Sequence, residues 1–296
     1  MPCCGVWSRF RAKGDLDRVD VNILWGVLIS VAVAAVSIGA MLFVRARAPE
    51  GSYFTDGDRA SGVFGVLATG FSILLGFIVF LAFTSYDSSR AGAETEALMV
   101  LQQVETAQSF PPPVGPKVTG ELICYGRSVV NDEWPRMRSG TLGEEVNPWG
   151  VRLFKTLAGY EPKTNHEQSA YDAWLGQTSA REEGRLDRVH AAAGVIPKTI
   201  WVTLFLIGGV IFVYMLFFAD SGEQRRTQAM LMGSVMVVIT VLFLLIVSLN
   251  KPYRHGVGSL KPVAMERSLR IVDQAVAAVG AHVTIACDEA GVATRS

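Results

Sequence analysis

An uncharged apolar run from Val63 to Tyr86 constrains the fold of this chain more than any other feature. At roughly 1.5 Å per residue, a helix of this length spans the ~30 Å hydrocarbon core of a bilayer. Because lipid offers no partner to backbone N–H and C=O groups, such a run is predicted to form a transmembrane helix. Three further runs have the same character, and together the four are residues 21–44, 63–86, 199–219 and 229–249.

The spacing of the four runs predicts the architecture. They form two pairs, and a long polar segment separates the pairs. Apolar residues in this insert recur at intervals of three and four, which indicates helices. We therefore predict an all-α membrane protein with four transmembrane helices in two pairs and a helical cytoplasmic insert between helices 2 and 3. Its divisions are the N-terminus 1–20, helices 1 and 2 in 21–86, the helical domain 87–198, helices 3 and 4 in 199–249, and the C-terminal helix and tail 250–296.

The distribution of charge predicts the orientation and some of the partners. Lysine and arginine near the helix ends are more numerous on the side of the insert and the termini, a bias that is typical of cytoplasmic segments. Both termini are therefore predicted to be cytoplasmic, in a multi-pass protein of the cell (plasma or inner) membrane. Basic and acidic residues balance at 27 each, so the overall charge predicts no nucleic-acid partner. The lipid bilayer is the partner expected for the four apolar runs.

Local signals place the helices of the insert. The second membrane helix is predicted to continue past Tyr86 until Phe110 and the prolines that follow it. Asn147 followed by Pro148 is typical of a helix start, and Thr164 with Glu167 has the spacing of a capping box.

The sequence predicts no catalytic or metal site. It carries no phosphate-binding glycine loop, nucleophile elbow or zinc-ligand spacing, so neither an enzyme nor a cofactor is expected. The four cysteines are scattered and are predicted to be unpaired thiols, and the small polar segment beyond Cys287 is predicted to be mobile. Acidic residues of the insert fit no calcium loop, and we expect them to face solvent: Glu94, Glu96, Glu105, Glu121, Asp132, Glu133, Glu144 and Glu145.

One face of the second membrane helix consists of small side chains. Gly65, Thr69, Ser72 and Gly76 lie three or four residues apart, so they share one side of a helix. Small residues in this pattern are typical of close helix packing, and we predict that role for Gly65, Ser72 and Gly76. None of the four apolar runs contains Asp, Glu, Lys, Arg or His. A passive conduit needs none, whereas proton- and cation-coupled transporters commonly use them.

Several stretches resemble one membrane protein family. The sequence SILLGF, from Ser72 to Phe77, is similar to the second transmembrane helix of the bestrophin anion channels, where S-x-x-L-G-F also occurs. The closer resemblance, over about residues 60–260, is to the bestrophin-like domain family of bacteria and plants. Four stretches carry it: Leu81 to Asp87 leading to Glu96-Ala97, Glu133-Trp134-Pro135, Arg181 to Arg188 before Pro197 and Trp201, and Leu249 to Tyr253 with Gly256.

The resemblance implies a ring of identical subunits, five by analogy, that passes chloride-like inorganic anions passively. In that geometry one residue per helical turn lines the narrow neck, which here falls on Thr69, Ile73 and Phe77. Thr69 departs from the apolar residue expected there, and Gly70 replaces a proline where the helix would break. No acidic cluster follows the fourth membrane helix, so no calcium gate is expected.

Two other functions remain open at the level of sequence. A non-conducting scaffold or signalling protein would bind a partner through its helical domain. It would use the apolar stripe from Met265 to Val279 and the aromatic side of a helix over 165–195. A secondary transporter ranks third, and saturable, gradient-coupled uptake would identify it.

Overall fold

The structure, a computed structural model, describes residues 4–48, 53–141, 145–256, 258–279 and 283–294, with side chains from Ile23 onward. Regular structure in these residues is helical. The helices are α1 Cys4–Arg45, α2 Gly57–Ala107, α3 Val114–Ser128, α4 Trp134–Ser139, α5 Pro148–Ala158, α6 Asn165–His190, α7 Lys198–Phe217, α8 Arg225–Asn250 and α9 Val263–Val279. A π-helical turn, Val129–Glu133, joins α3 to α4, and a 3₁₀ turn, Ala191–Ala193, follows α6.

Three of the four predicted apolar runs lie within α1, α2 and α8, and the run 199–219 lies in α7 except for its last two residues. Each of these helices is long and apolar enough to cross a membrane, because each contains an 18-residue stretch with a mean hydropathy of 2.6, 2.5, 2.5 and 2.9 respectively. The prediction of an all-α protein with several membrane-capable helices is confirmed. Helix α2 continues from its apolar run to Ala107, close to the predicted stop at Phe110, and it is unbroken at Gly70.

The chain divides into two compact units. The first unit contains the apolar helices, and the second contains the insert and the C-terminal region. Their ranges are Met1–Thr84, Val195–Asn250 and His255–Gly258 for the first unit, and Ser85–Gly194, Lys251–Arg254 and Ser259–Ser296 for the second.

Side-chain packing holds the helices of the first unit together. Helix α1 packs along α8, where Ile38 comes so close to Gly233 that an added Cβ would lie 3.0 Å from its Cδ1. Helix α2 packs on α7 and α8 through a cluster of apolar side chains, so one side of α2 is covered within the protomer. The buried members of that cluster are Phe71, Leu75, Ile78, Leu204, Ile211 and Ile246.

Both predicted helix starts in the second unit are present. The Asn147 side chain accepts a hydrogen bond from the Trp149 backbone N at 2.9 Å, with Pro148 as the first helical residue of α5. The Thr164 hydroxyl accepts from the backbone N of Glu167 at 3.2 Å and caps α6. These side chains satisfy N–H groups that the first helical turn leaves without a partner.

Helix α9 buries its apolar stripe in the second unit. Met265 and Val272 are buried in the core. Leu269 touches α3 at Gly126, where an added Cβ would lie 2.8 Å from its Cδ2. On α6, Trp174 is buried in the same core. The surfaces that a scaffold was expected to offer to a partner are therefore largely covered by the unit itself.

Two sequence predictions about the cysteines and the C-terminal segment are wrong. Cys124 and Cys287 form a disulfide rather than unpaired thiols. Instead of being mobile, the described segment beyond Cys287 packs on the domain, where Nε1 of Trp149 donates to the carbonyl oxygen of Gly291 at 2.7 Å. Gly120 permits the close approach, because a Cβ there would lie 2.1 Å from the carbonyl oxygen of Thr284. The two cysteines are 163 residues apart and meet only in the fold.

We expect peptide mapping without reductant to recover a peptide containing Cys124 joined to one containing Cys287. Free thiols are alkylated before unfolding to prevent exchange, and the joined peptide should disappear from a reduced control. Disulfides persist mainly in oxidising compartments, and cytosolic ones are usually transient. The same mapping on thiol-quenched cells therefore also tests the cytoplasmic placement predicted for this domain. Two separately alkylated cysteines in the unreduced protein would contradict the disulfide.

Candidate functional site

The apolar part of α2 packs with one side and leaves the other side open within the protomer. Phe71 and Leu75, on the packed side, are buried against α7 and α8. On the opposite side Ile73 and Phe77 are 68% and 58% exposed, and Thr69 is exposed as well. Residues four apart lie one above the other on a helix. The structure therefore brings the three predicted pore-lining residues onto one unpartnered face.

The predicted helix-packing residues flank this face. Gly65 and Gly76 are exposed, and apart from the adjoining backbone of α2 itself no heavy atom lies within 4 Å of a Cβ built on either. Ser72 is also exposed, and its hydroxyl donates to the carbonyl oxygen of Ala68 at 2.8 Å. No other helix of the described protomer occupies this stripe, so its packing role stays a prediction that concerns a neighbouring copy.

The second unit contains a buried cluster of charged side chains. Glu96 comes from α2, Glu133 from the π-helical turn, and Arg185 and Arg188 from α6. All four are buried. The sequence predicts solvent exposure for the acidic residues of the insert, and for Glu96, Glu121 and Glu133 that prediction is wrong. Glu94, Glu105, Asp132 and Glu145 are exposed, and Glu144 lies outside the described residues. Carboxylates are rarely buried unless they are paired, and this pairing comes from distant parts of the chain.

Arg188 bridges the two carboxylates of the cluster. Its Nη2 donates to Oε1 of Glu96 at 2.8 Å and to Oε2 of Glu133 at 2.6 Å, and its Nε donates to Oε2 of Glu96. Arg185 donates from Nη2 and Nε to Oε1 of Glu133 at 2.9 and 3.2 Å. Two carboxylates thus face two guanidinium groups, and the charges of these four side chains balance inside the domain.

Neutral side chains complete the hydrogen bonding of the carboxylates. The Tyr125 hydroxyl donates to Oε1 of Glu96 at 2.6 Å, and Nδ2 of Asn147 donates to Oε1 of Glu133 at 2.9 Å. Burial alone would raise the pKa of Glu133, but the charges of Arg188 and Arg185 outweigh it, and the pKa is lowered. Burial and the Glu96 carboxylate raise the pKa of Tyr125 well above its ordinary value. Glu133 is therefore ionised and Tyr125 remains a donor at neutral pH.

Tyr253 joins the segment after α8 to the same place. Its hydroxyl donates to the backbone carbonyl of Arg188 at 2.8 Å and lies 3.2 Å from Oγ of Ser89. The stretches that carried the family resemblance contain Glu96, Glu133, Arg188 and Tyr253. These four residues meet in the buried cluster. The sequence analysis named each stretch separately but did not predict that they contact one another.

The cluster is a structural element rather than a reaction centre. Each of its carboxylates accepts hydrogen bonds from arginine and from a neutral side chain, so none is free to act as a base or a nucleophile. It fixes α6 against α2 and the π-helical turn. Within the described ranges, no group of histidine, cysteine, aspartate and glutamate could hold a metal ion.

Comparison with known proteins connects this architecture to one family. A family model described as the bestrophin-like domain matches residues 27–265. A bacterial bestrophin homologue from Klebsiella pneumoniae has a similar crystal structure, with a TM-score of 0.63 and 14% identity over 88% of this chain and 99% of that one. A single-residue variant of that homologue matches with a TM-score of 0.62 and 14% identity over 85% of this chain and 99% of the other.

A third crystal structure, described only as a membrane protein, gives a TM-score of 0.62 and 15% identity over 84% of this chain and 98% of that one. At these identities the likeness concerns the fold. No curated protein matches the sequence.

Proposed function

The chain belongs to the bestrophin-like domain family, and from that membership we propose that it is a bestrophin-type channel that passes chloride-like anions passively. Its four apolar helices cross the cell membrane, with the insert 87–198 and both termini in the cytoplasm. Identical subunits, five by analogy with the family, surround a central axis with their α2 helices. The apolar runs contain no Asp, Glu, Lys, Arg or His, which supports a passive route.

The unpartnered face of α2 is the observation that carries this proposal. A pore-lining helix must pack on its own subunit with one side and meet the axis with the other. Helix α2 has one packed side and one free side, because Leu75 is buried whereas Ile73 is 68% exposed. With Thr69 and Phe77, Ile73 forms the constriction of the proposed pore. Apolar constrictions gate by excluding water, and small anions shed water more cheaply than cations of similar size.

The small-residue stripe has a separate role in the proposed ring. Gly65, Ser72 and Gly76 leave room beside the axis-facing residues, because none of them extends far from the helix backbone. A helix of the neighbouring subunit approaches closely over such a stripe. Packing and lining are thus assigned to two adjoining stripes of one exposed side.

Replacing Ile73 and Phe77 together by alanine should raise chloride flux in liposomes several-fold, because it widens and wets the constriction. The measurement is chloride efflux from liposomes that contain equal amounts of each purified protein. A matched control replaces Leu206 and Val213, two exposed apolar residues of α7, by alanine and should leave the flux unchanged.

Native mass spectrometry in detergent tests the ring itself. A monomeric protein has no central axis, and absence of flux from both the wild type and the variant would count against a channel. The scaffold function lacks a comparable observation, because Met265, Val272 and Trp174 are buried in their own unit. Deleting residues 262–296 would remove part of that core and so would test folding rather than partner binding.

A further inference from the structure

The free side of α2 extends from the proposed constriction to the first turn of the helix. Residues 18 apart are separated by five turns of about 3.6 residues, so they lie on the same side. Arg59 therefore shares a side with Phe77, and both are exposed. Ala60 and Ile78, the residues that follow them, are both buried. The boundary between the packed side and the free side thus holds over these five turns. The exposed residues of the free side are Arg59, Gly62, Val66, Thr69, Ile73 and Phe77.

Contacts with α7 fix the first turns of α2. The ring of Phe64 stacks on that of Tyr214 with centroids 5.8 Å apart, and the Tyr214 hydroxyl lies 3.5 Å from the carbonyl oxygen of Ala60. Oδ1 of Asp56 accepts a hydrogen bond from the backbone N of Arg59 at 3.0 Å. The backbone of this turn is therefore held in place, and the Arg59 side chain leaves it on the free side.

Arg59 carries the charge of the free side, because the other residues of that side are uncharged. No ion pair of the described residues includes it. The helix dipole makes acidic side chains favourable in a first turn and basic ones unfavourable, so Asp58 suits this position and Arg59 does not. Arg59 therefore stabilises neither the helix nor, through an ion pair, the fold of the protomer. Its charge is available to act outside the protomer.

The carboxylates next to Arg59 have other places. Asp58 lies 18 residues before Gly76, so it shares the side of the small-residue stripe and, in the proposed ring, faces the neighbouring subunit. Asp56 precedes the helix, and its carboxylate caps the first turn. Arg59 is thus the charged side chain that α2 turns toward the proposed axis at this end of its apolar run.

We propose that the Arg59 side chains of the ring surround the outer mouth of the pore and concentrate anions there. This inference rests on the proposed function, because only a ring of α2 helices brings several copies of Arg59 to one axis. Arg59 precedes Ile73 by 14 residues, which places it about 21 Å along the helix from the constriction. Like charges around an opening with low-dielectric walls raise the local concentration of counter-ions. Arg59 therefore selects anions before they enter, whereas Ile73 and Phe77 control their passage.

Exchange of radiolabelled chloride across liposome membranes tests this role in the full-length protein. Chloride is equal on both sides, so the orientation of the protein in the vesicle does not matter. Screening shortens the reach of a charge from about 30 Å at ~10 mM salt to about 3 Å at ~1 M. Arg59→Gln should therefore lower the exchange rate at least about threefold at ~10 mM chloride and by less than about 1.5-fold at ~1 M. Arg59→Lys keeps the charge and should stay within about twofold of the wild type at both concentrations.

Arg226→Gln is the matched control. Arg226 is also an exposed arginine in a helical first turn, that of α8, and the predicted topology places it on the same side of the membrane. Because α8 does not line the proposed axis, this variant should exchange chloride like the wild type at both concentrations.

Three results would overturn the inference and leave the channel itself standing. The first is equal exchange by Arg59→Gln and the wild type at ~10 mM chloride, where screening is weak. The second is an equal loss in Arg226→Gln, and the third is a loss in Arg59→Gln that is no smaller at ~1 M chloride, where screening is strong. Absence of exchange by the wild type would contradict the channel, and the inference with it.

Discussion

Replacing Arg188 by alanine should destabilise the second unit by about 3–5 kcal/mol, the cost typical of removing one partner from a buried ion pair. The substitution removes the only cation paired with Glu96, which keeps just its hydrogen bond from Tyr125, and leaves Arg185 as the one guanidinium group paired with Glu133. Both carboxylates would stay buried, where an unpaired charge is far less stable than in water. A domain of ordinary stability has only about 5–15 kcal/mol to lose. We therefore expect little folded protein from this variant at physiological temperature.

An exposed ion pair on the same helix as Glu96 provides the matched control. Arg90 pairs with Glu94, and the two side chains are 61% and 60% exposed. Arg90→Ala should change the free energy of unfolding by less than about 1 kcal/mol, as is usual for exposed pairs. Chemical denaturation in detergent, followed by tryptophan fluorescence, compares the two variants. Equal losses in both would show that the buried cluster has no special role in stability.

The membrane helices were predictable because lipid leaves few alternatives. An uncharged run such as Val63 to Tyr86 can satisfy its backbone in a bilayer only as a helix or in a closed barrel, and its length suits the helix. The caps at Asn147 and Thr164 were predictable for a local reason, because each depends on residues within three positions along the chain. Signals that are local in sequence were therefore sufficient to predict these helices and the two helix starts.

The charged cluster was not predictable from the same kind of signal. Glu133 lies 52 residues from Arg185, and Glu96 lies 92 residues from Arg188. Helical periodicity shows which residues share a face, but it does not show which charged face another helix will cover. The joining of Cys124 to Cys287 is a similar case, since the two thiols have no common local pattern. Contacts between distant segments decide both features.

The candidate pore face was predictable only in part. The family resemblance picked out Ile73 and Phe77, which share one stripe of α2, and helical periodicity put Gly65 and Gly76 on an adjoining stripe. Packing on α7 and α8 then separates the buried side at Leu75 from both stripes. The choice between the two stripes depends on neighbouring copies of the chain, because the lining of a pore on a central axis is a property of the assembly.

Replacing Gly184 by alanine should destabilise the second unit by about 2–3 kcal/mol, although alanine is the better helix former. Helices α2 and α6 cross at Gly92 and Gly184, next to the cluster of Glu96 and Arg188. A Cβ on Gly184 would lie 2.8 Å from the backbone N of Glu96 and 2.8 Å from the carbonyl oxygen of Gly92. Backbone atoms cannot turn away as a flexible side chain can, so the helices must separate and the hydrogen bonds of Arg188 must lengthen.

Gly176, also on α6, is a matched control for which the same substitution should change the stability in the opposite direction. Apart from the adjoining backbone of α6 itself, no heavy atom lies within 4 Å of a Cβ built on Gly176, so Gly176→Ala should stabilise the protein by up to about 1 kcal/mol through helix propensity alone. Both variants make the same chemical change on α6, and only the crossing with α2 distinguishes them. The midpoints of denaturant unfolding should therefore move in opposite directions from the wild type. A shift of both midpoints to higher denaturant would mean that α2 and α6 do not approach as closely at Gly184 as this packing requires.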